Sequence, residues 1–161
     1  MRFFCTYIII SLLGSGAVTG QTPIDSLETV LKRDLPDSTR IGVLISLSRE
    51  FQYTNINRSR EHAENALKIA EVRNIRKQKV RAYQNLGGLY AISGDYSSAL
   101  RYDNLALQSS LESRDSMNLS MDYNNVASDY YDLGEYDEAY FYFTQSYRVA
   151  RAVDDSLRMA I

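Results

Sequence analysis

The chain has 161 residues, of which 45% are hydrophobic and 24% are charged, a composition typical of a folded globular protein. Its formal net charge of −2 does not provide the basic surface that nucleic-acid binding requires, so we predict no nucleic-acid partner. With a single histidine and a single cysteine, the chain cannot form a His/Cys metal cluster, and a nucleophilic catalytic set would have to be built around His62. We therefore predict a protein that is not an enzyme and that uses no metal or cofactor.

Residues 1–20 have the three-part layout of a secretory signal peptide. Arg2 precedes an apolar stretch that ends at Leu13, and small residues follow as far as Gly20. We expect cleavage after Gly20 and export to the bacterial periplasm or cell envelope. The alternative is an uncleaved membrane anchor, although the Gly-, Ser- and Thr-rich second half is weakly apolar for a membrane span. A membrane contact is expected only if this leader stays uncleaved or the chain is part of a longer protein.

Residues 21–40 are predicted to form a capping helix followed by a turn. An apolar stripe recurs at helical spacing, and Asp25 and Glu28 have the spacing of a capping box. Pro36 is expected to end the helix, because proline cannot continue it. The stripe is formed by Leu27, Val30, Leu31 and Leu35.

The rest of the chain, residues 41–161, repeats itself. When residues 82–111 are placed over 122–151, large and small residues coincide at a spacing of 40, as in Tyr83 with Tyr123, Gly94 with Gly134, and Ala99 with Ala139. A more degenerate unit precedes them at offsets of 39 and 40, since Leu47 matches Leu86 and Ala66 matches Ala106. Each unit shows helical periodicity on both sides of a short turn, which predicts helix hairpins over about 41–79, 80–119 and 120–157.

The two clearest units read AYQNLGGLYAISGDYSSALRYDNLAL and DYNNVASDYYDLGEYDEAYFYFTQSY. Leucine–glycine, tyrosine, glycine-x-tyrosine and alanine follow one another in an order that resembles the tetratricopeptide repeat. The period is near 40 rather than the usual 34, as in extended variants found in exported bacterial repeat proteins and in the N-terminal regions of membrane sensor kinases. Asp103 departs from the pattern, since an aromatic residue is common at its place. The resemblance implies an all-α solenoid of antiparallel helix hairpins.

The resemblance also implies a binding groove lined by the first helix of each hairpin, and a protein or peptide as the partner. Amide side chains there can hydrogen-bond an extended peptide backbone, and Arg81 can meet a carboxylate. The candidate groove residues are Ile45, Arg49, Gln52, Arg81, Gln84, Gly88, Asn124, Ser128 and Tyr131.

The last full helix carries an aromatic surface with no capping helix after it, and exposed apolar patches of this kind mark interaction sites. Its candidate contact residues are Tyr140, Phe141, Phe143 and Tyr147. Two hypotheses follow. The first is a free-standing exported scaffold, whose last helix is covered by a partner or by self-association. The second is the N-terminal extracytoplasmic sensory segment of a membrane signalling protein, such as a sensor histidine kinase.

Three further groups of polar residues are given structural interpretations. The basic run from Arg73 to Arg81 is expected to be a solvated turn, and His62 is expected to be a packing residue. The carboxylates near the third glycine turn are expected to lie in solvent rather than to converge in a pocket. They are Asp129, Asp132, Glu135, Asp137 and Glu138.

Overall fold

The computed structural model describes residues 22–113 and 116–159, with side chains described for 22–113 and 118–154. The predicted leader lies outside these residues. The described part of the chain is made of helices and contains no strand, which confirms the predicted all-α class. The helices are α1 (Pro23–Leu31), α2 (Asp37–Phe51), α3 (Ile56–Val72), α4 (Arg76–Ile92), α5 (Tyr96–Ser113), α6 (Ser116–Leu133) and α7 (Tyr136–Met159).

The helices pair into three antiparallel hairpins, α2 with α3, α4 with α5, and α6 with α7, and each hairpin packs against the next. The first helices of the hairpins begin 39 and 40 residues apart, and the second helices begin 40 residues apart. Helix α1 packs on α2 and closes the N-terminal end of the stack. The architecture is therefore an α-solenoid preceded by a capping helix.

Glycine turns connect the helices of the second and third hairpins, as predicted. Gly94 and Gly134 have φ angles of 77° and 84°, in the left-handed region that favours glycine. The residue after each glycine donates its N–H back to the preceding helix, from Asp95 to Tyr90 O (3.0 Å) and from Glu135 to Tyr130 O (2.9 Å). These bonds satisfy carbonyl groups that the end of a helix leaves without partners.

A pair of stacked rings recurs inside each hairpin. Tyr90 stacks on Tyr102 with ring centroids 5.4 Å apart, and Tyr130 stacks on Tyr142 at the same separation. In the first hairpin His62 takes this place and stacks on Phe51 at 5.8 Å, which confirms its packing role. Burial of the His62 ring lowers its pKa from the ordinary value of 6.5.

Helix α1 differs from the prediction at both of its ends. Thr22 is the N-cap, and its side chain and that of Asp25 form the capping box, so the predicted box of Asp25 with Glu28 is wrong. Glu28 instead pairs with Arg58 of α3 at 2.6 Å. The helix ends at Leu31, and Pro36 stands at the N-cap of α2. Leu27, Val30 and Leu31 of the predicted stripe lie on α1 and pack on Val43, Leu47 and Phe51 of α2, whereas Leu35 packs there from beyond the end of the helix.

Candidate binding surfaces

The first helices of the three hairpins place most of the predicted groove residues at the surface. On α2, Arg49 is exposed and Gln52 is half-buried; on α4, Gly88 is exposed. On α6, Asn124 is exposed and Ser128 is half-buried, with its hydroxyl donating to Asn124 O at 3.0 Å. These positions offer amide, hydroxyl and guanidinium groups to a ligand.

Ile45 is wrong as a groove residue, because it is 1% exposed and belongs to the core. It packs with Ala66, Ala70 and Ala82, with Leu31 of α1 against the same cluster. Helix α1 packs on α2 and adds Leu31 to this cluster, so a position that is half-buried at Gln84 and exposed at Asn124 is covered here.

Two predicted groove residues on α4 already have partners within the chain. Gln84 donates from Nε2 to Asp122 Oδ1 on α6 at 2.6 Å, and Arg81 donates from Nη1 to Gln78 Oε1 at 3.0 Å. Both side chains are half-buried. The Gln84–Asp122 bond links α4 to α6, so it positions these first helices relative to each other.

Tyr131 lies at the end of the predicted groove and is 59% exposed. Its ring meets that of Tyr136 edge to face, with centroids 5.5 Å apart. Tyr131 is thereby close to the start of α7, where the aromatic surface begins.

The predicted C-terminal contact surface is open, since Tyr140 is 76% exposed and Tyr147 is 64% exposed. Phe141 and Phe143 are also exposed, whereas Tyr142 is half-buried under the ring stack. Repeat spacing explains the exposure. Phe143 and Tyr147 match Asp103 and Leu107 of α5, which are buried where α6 packs on α5. The part of α7 that carries Phe143 and Tyr147 is therefore the part that the next hairpin covers in the preceding unit, whereas Phe141 matches the exposed Arg101.

The basic run lies around the turn before α4 and at the start of that helix. Arg73 pairs with Asp37 at 2.8 Å, and Arg76 and Lys77 are exposed. Lys77 and Lys79 border a cleft between the start of α4 and the end of α5, which also contains Glu112. The predicted solvated turn is wrong for most of the run, because Arg76, Lys77, Lys79 and Arg81 belong to α4, and Lys79 and Arg81 are half-buried.

One carboxylate expected in solvent is buried. Asp129 on α6 is 2% exposed and lies beside Asp103 of α5, which is 3% exposed. Burial first, and then the charge of Asp129, raise the pKa of Asp103 to about 8. Burial raises the pKa of Asp129 to about 6. The sequence held one indication of this site, since Asp103 replaces a common aromatic residue and Gly87 leaves room for it.

The sequence did not predict a second buried polar cluster either. Asn85 of α4 donates from Nδ2 to Ser48 Oγ of α2 at 2.6 Å, and Ser59 Oγ of α3 donates to Ser48 O at 2.5 Å. All three residues are buried, so the joint between the first and second hairpins is fixed by hydrogen bonds as well as by apolar packing.

Comparison with known proteins identifies the fold. The TPR domain of Arabidopsis FLU superimposes with a TM-score of 0.67 over 73% of this chain and 99% of that domain, at 17% sequence identity. The chain has the fold of a tetratricopeptide-repeat domain. No family model matches the sequence, and no curated protein matches it either.

The described residues give no indication of a metal site or of a membrane span. They hold no group of three or more His, Cys, Asp or Glu side chains arranged to bind a metal ion. None of the helices within residues 22–113 and 116–159 combines the length and the apolarity needed to cross a membrane.

Proposed function

We propose that this chain is a non-enzymatic scaffold of the bacterial cell envelope that binds a protein or an extended peptide along α2, α4 and α6. The single observation that carries the proposal is the tetratricopeptide-repeat fold with polar, surface-reaching side chains on the first helix of each hairpin. A fold of this type presents a long continuous surface, which suits an extended ligand. We also propose that its repeats belong to the extended variant of about 40 residues, within the boundaries 41–79, 80–119 and 120–157.

The binding surface consists of Arg49, Gln52, Arg81, Gln84, Gly88, Asn124, Ser128 and Tyr131. Asn124 can donate to and accept from a peptide backbone, Arg49 can pair with a ligand carboxylate, and Tyr131 offers a broad apolar face. Gly88 has open space where a side chain would stand, since a Cβ placed there would meet no atom within 4 Å. A ligand backbone can therefore approach α4 closely at this point.

The test is selection of ligands from a random peptide library on the full chain, followed by affinity measurements on variants. Arg49→Ala and Asn124→Ala are expected to weaken a selected peptide by about tenfold each, about 1.4 kcal/mol. The matched controls are Lys68→Ala on α3 and Gln108→Ala on α5, which are exposed residues of second helices. Peptides whose binding depends on Lys68 or Gln108, and is unchanged by Arg49→Ala and Asn124→Ala, would show that the ligand uses another face.

The exposed surface of α7 supports a second proposed contact, either with a partner or with another copy of the chain. Phe143 and Tyr147 occupy the face that a following hairpin would cover, so association there would remove these two rings from water. Sedimentation of the full chain over a range of concentrations, compared with Tyr147→Ser, tests self-association. A wild-type chain that stays monomeric would exclude another copy as the occupant of this surface.

The same surface favours one alternative function, the extracytoplasmic sensory segment of a membrane signalling protein such as a sensor histidine kinase. A longer protein would supply the covering helix. We propose export through residues 1–20, with cleavage after Gly20, for the free-standing scaffold. An antibody to residues 81–155 separates the alternatives in fractionated cells: a species below 18.4 kDa in the soluble envelope fraction supports the scaffold, and a much larger membrane-bound species supports the sensor.

A further inference from the structure

Two aspartates meet in the joint between the second and third hairpins. Asp103 on α5 and Asp129 on α6 are 3% and 2% exposed. The Asp103 carboxyl group lies directly against Gly87 of α4, since a Cβ added to Gly87 would stand 2.5 Å from Asp103 Cγ. Side chains and backbone of three helices thus enclose the pair, and water has little access to it.

Among the described residues, the charged groups that act on the pair are carboxylates. Helix α6 contributes two more carboxylates, with Asp122 acting on Asp103 and Asp132 acting on Asp129. Helix α4 presents Gly87, which has no side chain. Glu135, just before α7, and Glu138 on α7 act on Tyr130 instead of on the aspartate pair. The described residues include no cation that forms an ion pair with Asp103 or Asp129.

Hydrogen bonds compensate the two carboxyl groups only in part. The Asn125 side chain lowers the pKa of Asp103, yet Asp103 Oδ1 and Asp129 Oδ2 are buried without a donor within the described residues. Two ionised carboxylates in contact, without a cation and out of water, would repel each other strongly. A proton on one of the two groups would remove that repulsion and supply a donor between them.

We propose that Asp103 and Asp129 share one proton at neutral pH, and that this proton makes the joint between hairpins α4–α5 and α6–α7 sensitive to pH. The joint is tight while the pair is protonated, and it loosens when the pair releases the proton to solvent. Burial raises the pKa of both groups above the ordinary value of 3.8. Because the folded-state pKa values are raised, the stabilisation is complete below pH 3.8 and is lost as the pH rises through the folded-state values. The loosening is therefore expected on the neutral to mildly alkaline side.

The consequence for binding rests on the proposed function, whereas the shared proton does not. Helix α6 carries Asn124 and Ser128 as well as Asp129, so a loosened joint moves one third of the proposed groove. Peptide affinity is then expected to fall with rising pH. If the chain binds no peptide, the proposed function fails, but the titration of the pair still tests the shared proton independently.

The direct test is the pH titration of the aspartate carboxyl carbons by NMR in the full chain. Two resonances, assigned by their loss in Asp103→Asn and Asp129→Asn, are expected to titrate well above the ordinary range, one of them above about pH 7. Titration of every aspartate near 3.8 would overturn the proposal. This measurement uses the wild-type chain and decides the question for either aspartate even where a variant fails to fold, because the resonances of exposed aspartates can be assigned separately.

Hydrogen exchange and thermal unfolding then test the joint itself. After correction for intrinsic exchange rates, amides of α5 and α6 are expected to exchange several-fold faster at about pH 9 than at about pH 6. Those of α2 and α3 serve as an internal control.

The wild-type melting temperature should fall over this range, and Asp103→Asn, which cannot ionise, should remove most of the fall. Asp137→Asn removes an exposed carboxylate of α7 and is the control, which should retain the fall. His62 cannot produce this fall, because a lowered folded-state pKa of a histidine makes stability rise with pH. An equal fall in wild type and Asp103→Asn would refute the role of the pair.

Discussion

The contact between Gly87 and Asp103 can be tested by adding a single methyl group. In Gly87→Ala the new Cβ would lie 2.5 Å from Asp103 Cγ, 2.6 Å from its Oδ2 and closer still to its Oδ1, well inside van der Waals contact. The flexible end of Asp103 must move by about an ångström, but it is enclosed by α6 and by Asp129, so the movement disturbs the second joint. The neighbouring Gly88 is the matched control, because a Cβ there would meet no atom within 4 Å.

The expected magnitude follows from two opposing terms. Overpacking a well-filled site costs about 1–3 kcal/mol, whereas alanine is favoured over glycine inside a helix by about 1 kcal/mol. The net destabilisation of Gly87→Ala is therefore up to about 2 kcal/mol, which lowers the melting temperature of a domain of this size by about 2–8 °C. Gly88→Ala gains the helix preference of alanine without overpacking, so it should raise the melting temperature.

The assay is thermal and urea unfolding of the wild-type chain, the two single variants and the double variant Gly87→Ala with Asp103→Ala. The double variant places a small side chain at both positions, as the first hairpin does with Ser48 and Ala63. The double variant should lose less stability than the sum of the two single changes, by about 1–3 kcal/mol of coupling. Strict additivity, or a Gly87→Ala chain as stable as Gly88→Ala, would refute the close contact.

Three other changes probe the turns, the first joint and the aromatic surface. Gly134→Ala should destabilise the chain by about 1 kcal/mol in urea unfolding, because φ is 84° there, whereas Gly42→Ala, inside α2 with open space, should not. Asn85→Ala removes the amide donor to the buried Ser48 Oγ and should cost about 1–3 kcal/mol, and a loss within experimental error would mean that water replaces the amide. Tyr147→Ser should reduce binding of a hydrophobic dye without lowering the melting temperature; a wild-type chain that binds no dye would contradict the exposure of α7.

The repeated frame of this protein could be predicted from sequence because each of its parts depends on residues close in the chain. Gly94 and Gly134 supply a backbone conformation that few other residues adopt, so the turns are visible in any one unit. Tyr90 and Tyr102 stack within one hairpin, and their matches at a spacing of 40 reveal the same contact in the next. Such local contacts recur whatever lies outside the hairpin.

Burial at the joints could not be predicted in the same way, because it depends on the neighbouring hairpin. Ile45, Gln84 and Asn124 occupy matching positions, yet the first is buried, the second half-buried and the third exposed. Asp129 was expected in solvent because acidic residues surround it in sequence, whereas its carboxyl group points to Asp103 on another helix. A repeat pattern gives the side of the helix on which a residue lies but not what covers that side.

The equivalent positions Ser48, Gly87 and Ala127 show why one joint can respond to pH when the other does not. In the first hairpin the position is Ser48, which takes part in a neutral hydrogen-bonded cluster with Ser59 and Asn85. In the second it is Gly87, whose missing side chain admits the Asp103 carboxyl group. In the third it is Ala127, and the residue matching Asp103 is Phe143, an apolar ring on the open face of α7. Since equivalent positions of the three hairpins are 39 or 40 residues apart, the same place on each hairpin is filled by a different side chain. One or two side chains therefore decide the chemistry there. The proposed response to pH therefore belongs to the second joint and not to the first, and exchanging Gly87 and Asp103 for the residues of the first hairpin should abolish it without changing the fold.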